Sequence, residues 1–206
     1  LENGARIKVV DAAASSIGVD TLSDFERVRR MIETPNITYR AAARDDIPDI
    51  ARVHVESWKK SFEGIAPKEF LDGMSVEKRI ESFSRRFEDE NSFYMMFVAE
   101  DAEAGTVGFA DFGEPRNQNG FDSELYAIYF LPEFQRKNIG SHLFRMCQLE
   151  MADHGMRSMC LDSLEVSPYR SFYEKLGGEA VGSGSHDLAG QEFKTVLYGW
   201  KDLGSI

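Results

Sequence analysis

Cysteine and basic charge are both scarce in this chain, and long apolar runs are absent. Its two cysteines, Cys147 and Cys160, form neither a disulfide framework nor a metal-ligand spacing. Both sit in apolar stretches and read as buried thiols of a reducing, cytoplasmic compartment. Lys and Arg number 24 against 35 Asp and Glu, a net charge of −11. That balance opposes the phosphate neutralisation on which nucleic-acid binding depends, so no nucleic-acid partner is expected. No apolar stretch approaches the ~18–20 residues of a membrane span. The best, Phe93–Ala99, has the length of a strand, and no secretory pattern opens the chain, so no membrane partner is expected. His154 and His186 have no partners at metal spacing. There is no G-x-x-x-x-G-K-S/T loop, and Gly182-Ser183-Gly184 lacks the strand–turn–helix setting of a dinucleotide fold.

What remains, 42% hydrophobic and 29% charged over 206 residues, is an ordinary globular composition: one domain with an appendage rather than two full cores. Residues 1–36 read as an extension. Ile7–Val10 has the pattern of a short strand, and Ser23-Asp24-Phe25-Glu26 fits a capping box ahead of a short helix. From Ile37 to the end, 37–206, the periodicities alternate. Ile37–Arg40 reads as a strand. Ile47, Ile50, Ala51, His54 and Trp58 share one face of a helix capped by Asp45 or Asp46, with Pro48 in its first turn. Val76, Ile80, Phe83 and Phe87 mark a second helix. Phe93–Ala99 and Val107–Phe112 read as an antiparallel hairpin, followed by a strand over Glu124–Leu131. Ile139, Leu143, Cys147 and Met151 repeat every four residues on a third helix. Met159–Leu164 is strand-like, Ser167-Pro168 starts a helix that Gly177 stops, and Phe193–Trp200 closes the chain as a strand. The order is that of a mixed α/β sheet layered with helices.

The most informative segment runs from Leu131 to Ser141. A strand ends there, a short turn follows, and an amphipathic helix begins. Such a turn leaves backbone N–H groups unpaired at a helix N-terminus, where they and the helix dipole attract phosphate, the dipole contributing roughly 0.3–2 kcal/mol. Arg136 and Lys137 add positive charge in an acidic chain, and Asn138 and Gly140 tolerate left-handed or crowded backbone. The same residues also read as a surface turn with two solvated basic side chains.

Gln135–Gly140 resembles the Q/R-x-x-G-x-G/A pyrophosphate loop of the GNAT superfamily of N-acetyltransferases, with Asn138 where the first glycine is usual. Ser167-Pro168-Tyr169-Arg170-Ser171-Phe172-Tyr173-Glu174-Lys175-Leu176-Gly177-Gly178 is similar to that superfamily's N-x-x-x-x-F-Y-E-K-L-G-F/G signature, with Ser167 where Asn is common. Each motif is weak alone; the two in order on fitting elements are specific together. The resemblance covers Ile37 to Leu203, including Tyr198-Gly199-Trp200.

The resemblance implies a GNAT-like α/β (α+β) fold, a mixed, centrally splayed sheet flanked by helices, with acetyl-CoA lying in the splay. It implies that the main chain of Ile128, Tyr129 and Phe130 meets the acetyl group and the pantetheine arm, with the Ile128 N–H polarising the thioester carbonyl. Arg136, Lys137, Asn138, Ile139, Gly140 and Ser141 would hold the diphosphate, and Ser167 would stand in for a side-chain contact to the arm. Tyr173 occupies the acid position, protonating the departing thiolate; packing alone would also account for it. Glu124 resembles a frequent carboxylate that takes the proton of the acceptor ammonium, of which only about one part in 2,500 is neutral at pH 7. Asp111, Glu114 and Asp162 are alternatives, and a solvated Glu124 is another reading. Trp58 and Phe62 would wall the acceptor pocket by cation–π contact, or pack in the core.

The expected function is transfer of the acetyl group of acetyl-CoA to a primary amine by direct attack in a ternary complex, without metal. The acceptor is open, a small molecule or a protein or peptide amine. Two rivals are an acyl-CoA-sensing module with weak catalysis and an interaction protein built around the helix within residues 1–36. A homodimer is expected from the resemblance.

Overall fold

The computed structural model describes residues 37–89, 91–117 and 120–203. The chain divides into two units, Leu1–Thr34 and Pro35–Ile206, and every described residue belongs to the second. The strand and helix expected within residues 1–36 lie outside the described residues.

Seven strands form one sheet: β1 (Ile37–Ala41), β2 (Tyr94–Asp101), β3 (Gly105–Gly113), β4 (Ser123–Phe130), β5 (Met159–Leu164), β6 (Glu179–Leu188) and β7 (Gln191–Trp200), in the order β1-β2-β3-β4-β5-β7-β6. All neighbours are antiparallel except β4 and β5. The helices are α1 (Ile47–Ser61), α2 (Lys68–Asp72), α3 (Val76–Phe87), α4 (Ile139–Asp153) and α5 (Arg170–Lys175). The mixed, splayed α/β architecture is the expected one. The short α2, which carries no full period of apolar residues, escapes a periodicity reading.

Local chemistry explains most boundaries. Asp46 stands at the N-cap of α1 with Pro48 in the first turn, but its carboxylate serves the chain before the helix: it accepts from the Ala43 N–H at 2.7 Å and from the Arg40 guanidinium at 2.6 and 2.8 Å. Ser75 caps α3, its hydroxyl accepting from the Lys78 N–H. The helix expected to begin at Ser167-Pro168 starts later, with Tyr169 at its N-cap. The Ser167 hydroxyl is instead used one turn early, accepting from the Tyr169 N–H at 3.3 Å.

Alternation across the sheet assigns the helices to faces. Phe109 of β3 and Tyr129 of β4 meet His54 of α1, and Phe109 also meets Phe83 of α3, on one face. The next residue, Phe130, turns to the other face, where its ring reaches Gly140 of α4. That ring also covers Gly108: a Cβ there would stand 2.1 Å from it. Burying each such aromatic contributes roughly 1.5–3 kcal/mol. A Gly108→Ala substitution should therefore displace Phe130 and destabilise the fold by about 1–3 kcal/mol. Chemical denaturation measures this, and an unchanged midpoint would refute the packing argument.

Candidate active site

β4 and β5 pair only at Ser123–Met159 and Glu124–Cys160. Beyond Glu124 they diverge, while β5 stays bound to β7 along its other edge. The β3–β4 register slips by one residue between Asp111 and Phe112, so Tyr126 is an extra residue in β4. A bulge of this kind bends and twists its strand, which turns β4 away from β5. Leu131 gives its N–H to the Val107 carbonyl at 2.9 Å. Alternation then points the peptide groups of Phe130 and Ile128 into the opening, and those of Tyr129 and Ala127 towards β3. The peptide of Tyr129 belongs to the β3 ladder and its ring to the α1 face. The Phe130 carbonyl is already engaged, accepting from Ser57 Oγ and Gln135 Nε2, both at 2.9 Å. Ile128 thus offers its backbone groups to whatever enters.

At the wide end of the opening, a 3₁₀ turn over Pro132–Phe134 leads into the loop before α4. Arg136 and Asn138 are left-handed, with φ of 60° and 62°. Asparagine is suited to that region; arginine is not, and its conformation was not legible from residue type. Successive N–H groups in such a loop converge on one side. Arg136, Lys137 and Asn138 are exposed, whereas Ile139 is buried and anchors the helix start. Gly140 is helical, and a Cβ there would lie 3.4 Å from both the Phe130 and Phe172 rings, within ordinary contact distance. No acidic residue stands in the first turn of α4, and the Asn138 side chain makes no capping bond. The first-turn N–H groups of Ile139, Gly140 and Ser141 therefore remain available, the donor set a diphosphate needs. Gln135 also accepts from the Tyr169 hydroxyl at 3.2 Å, and that hydroxyl accepts from Ser61 at the same distance. This chain of bonds ties α1, the loop and the segment before α5 together across the opening.

Tyr173, on α5, is half-buried with its ring 5.3 Å from Phe172 and 5.8 Å from Tyr198. Burial holds its phenol well above the ordinary value, with Tyr129 and Tyr198 adding to the effect, so it is protonated at neutral pH. None of the hydrogen bonds among the described residues uses its hydroxyl.

The α1 and α3 face of β3 and β4 carries two buried carboxylates. Glu124 is 4% exposed and fully engaged by Arg116: Oε2 accepts from the backbone N–H at 2.8 Å, and Oε1 from the guanidinium, Nε at 2.9 Å. Asp111 is 1% exposed. Its Oδ2 accepts from the Tyr94 hydroxyl at 2.9 Å and lies 3.7 Å from Arg86, but Oδ1 has no partner. Burial raises Asp111 to about 6, against the pull of Tyr94 and of Arg86, Arg116 and Arg79. Of the other carboxylates considered, Glu114 is exposed and lends only its carbonyl to Tyr126, and Asp162 pairs with His186 at 3.2 Å. His54 is buried and held neutral, lowered to about 3 by desolvation and then by Arg79. Trp58 is half-buried, 4.3 Å from Phe62 and 5.6 Å from Phe70. Phe62 itself is 5% exposed, packed with Leu164, Leu188 and Phe193 and against the Trp58 ring.

Several of these groups escaped the sequence reading. Ser57 is a small polar residue within the α1 apolar stripe, and Arg79 and Arg86 fall three residues after Val76 and Phe83 on the apolar side of α3. Those placements were visible in the periodicity. Arg116, in a polar loop, carried no such signal. Among the described residues no group of His, Cys, Asp and Glu is placed to hold a metal ion, and no helix is long and apolar enough to cross a membrane.

Residues 92–177 match the family model of the acetyltransferase (GNAT) domain, a span holding both the opening and Tyr173. The uncharacterized N-acetyltransferase YuaI of Bacillus subtilis (strain 168) is 36% identical over 174 residues, covering 82% of this chain and 96% of that protein. The spermidine N(1)-acetyltransferase of Thermoplasma acidophilum is 24% identical over 59% of this chain and 74% of its own. Among solved structures, the PaiA N-acetyltransferase of Thermoplasma acidophilum in complex with coenzyme A superposes with a TM-score of 0.60 at 24% identity, over 78% of this chain and 98% of that one. An opening between parallel strands, a left-handed donor loop and a protonated tyrosine thus coincide with sequence kinship along nearly the whole of a relative, and the chain belongs to the GNAT superfamily of N-acetyltransferases, which take their acetyl group from acetyl-CoA.

Proposed function

We propose that this protein transfers the acetyl group of acetyl-CoA to a primary amine by direct attack, with both substrates bound together. The observation that carries the reading is the separation of β4 from β5 beyond Glu124, beside a loop with free first-turn N–H groups. Ile139, Gly140 and Ser141 receive the diphosphate, with Arg136 and Lys137 supplying charge. The pantetheine amides extend along the free edge of β4, and the Ile128 N–H meets the thioester oxygen where negative charge develops. The amine nitrogen then bonds to the carbonyl carbon, the carbon–sulfur bond breaks, and the sulfur takes a proton from Tyr173. The amine sheds a proton to a carboxylate. Ser167, its hydroxyl turned to the Tyr169 N–H, contributes by shaping the bend beside the arm. Cys147 is kept as a thiol by burial, which favours direct attack over an acetyl-cysteine route.

Two carboxylates compete for the amine's proton. Glu124 sits where β4 and β5 still pair, four residues and about 13 Å of strand from Ile128. Its charge is also matched by Arg116. Asp111 pairs with Ala127, the neighbour of Ile128, and keeps one oxygen unbonded. We assign the base role to Asp111 and a structural role, closing the end of the opening, to Glu124.

Tyr173→Phe should lower kcat by about 10²–10⁴-fold while coenzyme A binding, followed by calorimetry, stays unchanged. Undiminished turnover would remove Tyr173 from the mechanism. With Asp111 as base, kcat should fall as a single proton is taken up below about pH 6. That limb should vanish in Asp111→Asn and persist in Glu124→Gln; the reverse pattern would return the role to Glu124.

The same group makes a stability prediction. Asp111 binds its proton more tightly folded, near 6, than unfolded, where an ordinary aspartate titrates at about 3.9. Between these values the folded state holds more protons, so this contribution to stability falls as pH rises, and above pH 6 the buried charge costs up to about 3 kcal/mol. Asp111→Asn should raise the unfolding midpoint at pH 7.5 and change it little at pH 4. A variant less stable at pH 7.5 would show that Asp111 holds the fold together rather than straining it.

A further inference from the structure

Arg79 occupies an unusual position for a cation. It lies on the apolar side of α3 with Val76 and Phe83, half-buried, its guanidinium 5.6 Å from the centre of the Phe83 ring. On the same side of the sheet Arg86 has Asp111 at 3.7 Å and Arg116 has Glu124, yet no carboxylate of the described residues lies within 4 Å of Arg79. Burying a cation without a counter-ion is costly. Burial accordingly disfavours the charged form of this group and Arg86 adds to that, with Tyr129, Asp111 and Tyr94 partly offsetting it. Arg79 also borders a cleft of about 440 Å³ between α1, α2 and α3, lined by Val55, Phe70, Met74, Ser75 and Lys78 as well. Glu69 stands exposed at its rim, where water screens its charge. The Phe83 ring under Arg79 meets His54 and Phe109, and both of these meet Tyr129 of β4, so the cleft adjoins the face that carries Asp111.

We propose that the acceptor is an amine that also bears a carboxylate, such as an amino acid or an amino-acid derivative, and that Arg79 holds this carboxylate in the cleft. The inference rests on the acetyl-transfer reading above and adds the acceptor's class. A guanidinium offers a planar pair of donors matched to a carboxylate, and an incoming anion supplies the partner that the fold omits. The cleft has the volume of a small-ligand site. The two ends of the acceptor are thereby distinguished, the anion at Arg79 and the ammonium towards Asp111. A polyamine, cationic throughout, would meet Arg79 as a like charge.

The test compares matched acceptors that differ only at the carboxylate: free amino acids against their carboxamides, 4-aminobutyrate against butylamine, and spermidine as the polyamine. Release of the coenzyme A thiol gives kcat/KM for each, and calorimetric titration of the same pairs gives affinity even where no acetyl moves. The carboxylates should lead their partners by about 10–100-fold, the scale of one charge-assisted contact. Arg79→Gln should collapse this ratio to near unity, Arg79→Lys should restore part of it, and coenzyme A affinity should be the same in all three proteins. Equal use of amides, a preference for spermidine, a ratio untouched by Arg79→Gln, or no heat with any carboxylate would each overturn the inference. Failure to bind coenzyme A would instead overturn the acetyl-transfer reading, so the two failures are separable.

Discussion

The loss of pairing between β4 and β5 after two residues governs the rest of this molecule. Abandoning a parallel ladder leaves peptide groups facing each other across a gap, and each buried group left unpaired costs about 1–3 kcal/mol. Two devices limit that cost. Ser57 and Gln135 both donate to the Phe130 carbonyl, so that group, at the wide end of the opening, is satisfied by side chains from α1 and from the loop. At the narrow end, Arg116 clamps Glu124 on the last paired residue of β4. What stays open lies between them, at Ile128, and the bulge at Tyr126 sets where it begins. The proposed site therefore lies where β4 has lost its backbone partner.

Much of the fold was legible because its cause is local. The four-residue repeat of Ile139, Leu143, Cys147 and Met151 and the stripe from Ile47 to His54 are buried as their spacing requires. The conformation of the loop before α4 was legible in part for a similar reason: Asn138 is a residue type suited to left-handed backbone, and it adopts that conformation. The splay itself was not. Its determinants are a one-residue slip between β3 and β4 and the side chains that cap the ends, and no run of consecutive residues encodes a register between strands. Tyr129 shows the consequence. Adjacent in sequence to Ile128 and Phe130, it faces the opposite way, because alternation is counted from a hydrogen bond made by Leu131 to another strand.

Charge is distributed with the same logic. The chain is acidic overall, yet the loop before α4 carries Arg136 and Lys137, and no acidic residue stands in the first helical turn after it. On the other side of the sheet, Arg79, Arg86 and Arg116 stand around Asp111 and Glu124, with Arg86 and Arg116 laid over the Tyr126 ring at 5.2 Å. Fixed charges of both signs thus stand together there, the carboxylates almost fully buried and the Arg86 and Arg116 side chains partly open to water.

Asp111 and Glu124 illustrate how environment, rather than residue type, divides labour. Both are carboxylates at neighbouring levels of the same face, and both are almost fully buried. Glu124 is placed where Arg116 bonds both of its oxygens, so its charge is spent on holding the strand ends together. Asp111 has a phenol on one oxygen, nothing on the other, and its nearest guanidinium at 3.7 Å, so burial dominates and lifts it to about 6. A base must be ionised at neutral pH and still hold a proton well once it arrives, and a value close to the working pH satisfies both needs. A carboxylate neutralised by a bonded guanidinium does not combine them. Under the proposed assignment, the separation of these two environments leaves one acidic group inert and the other free to work.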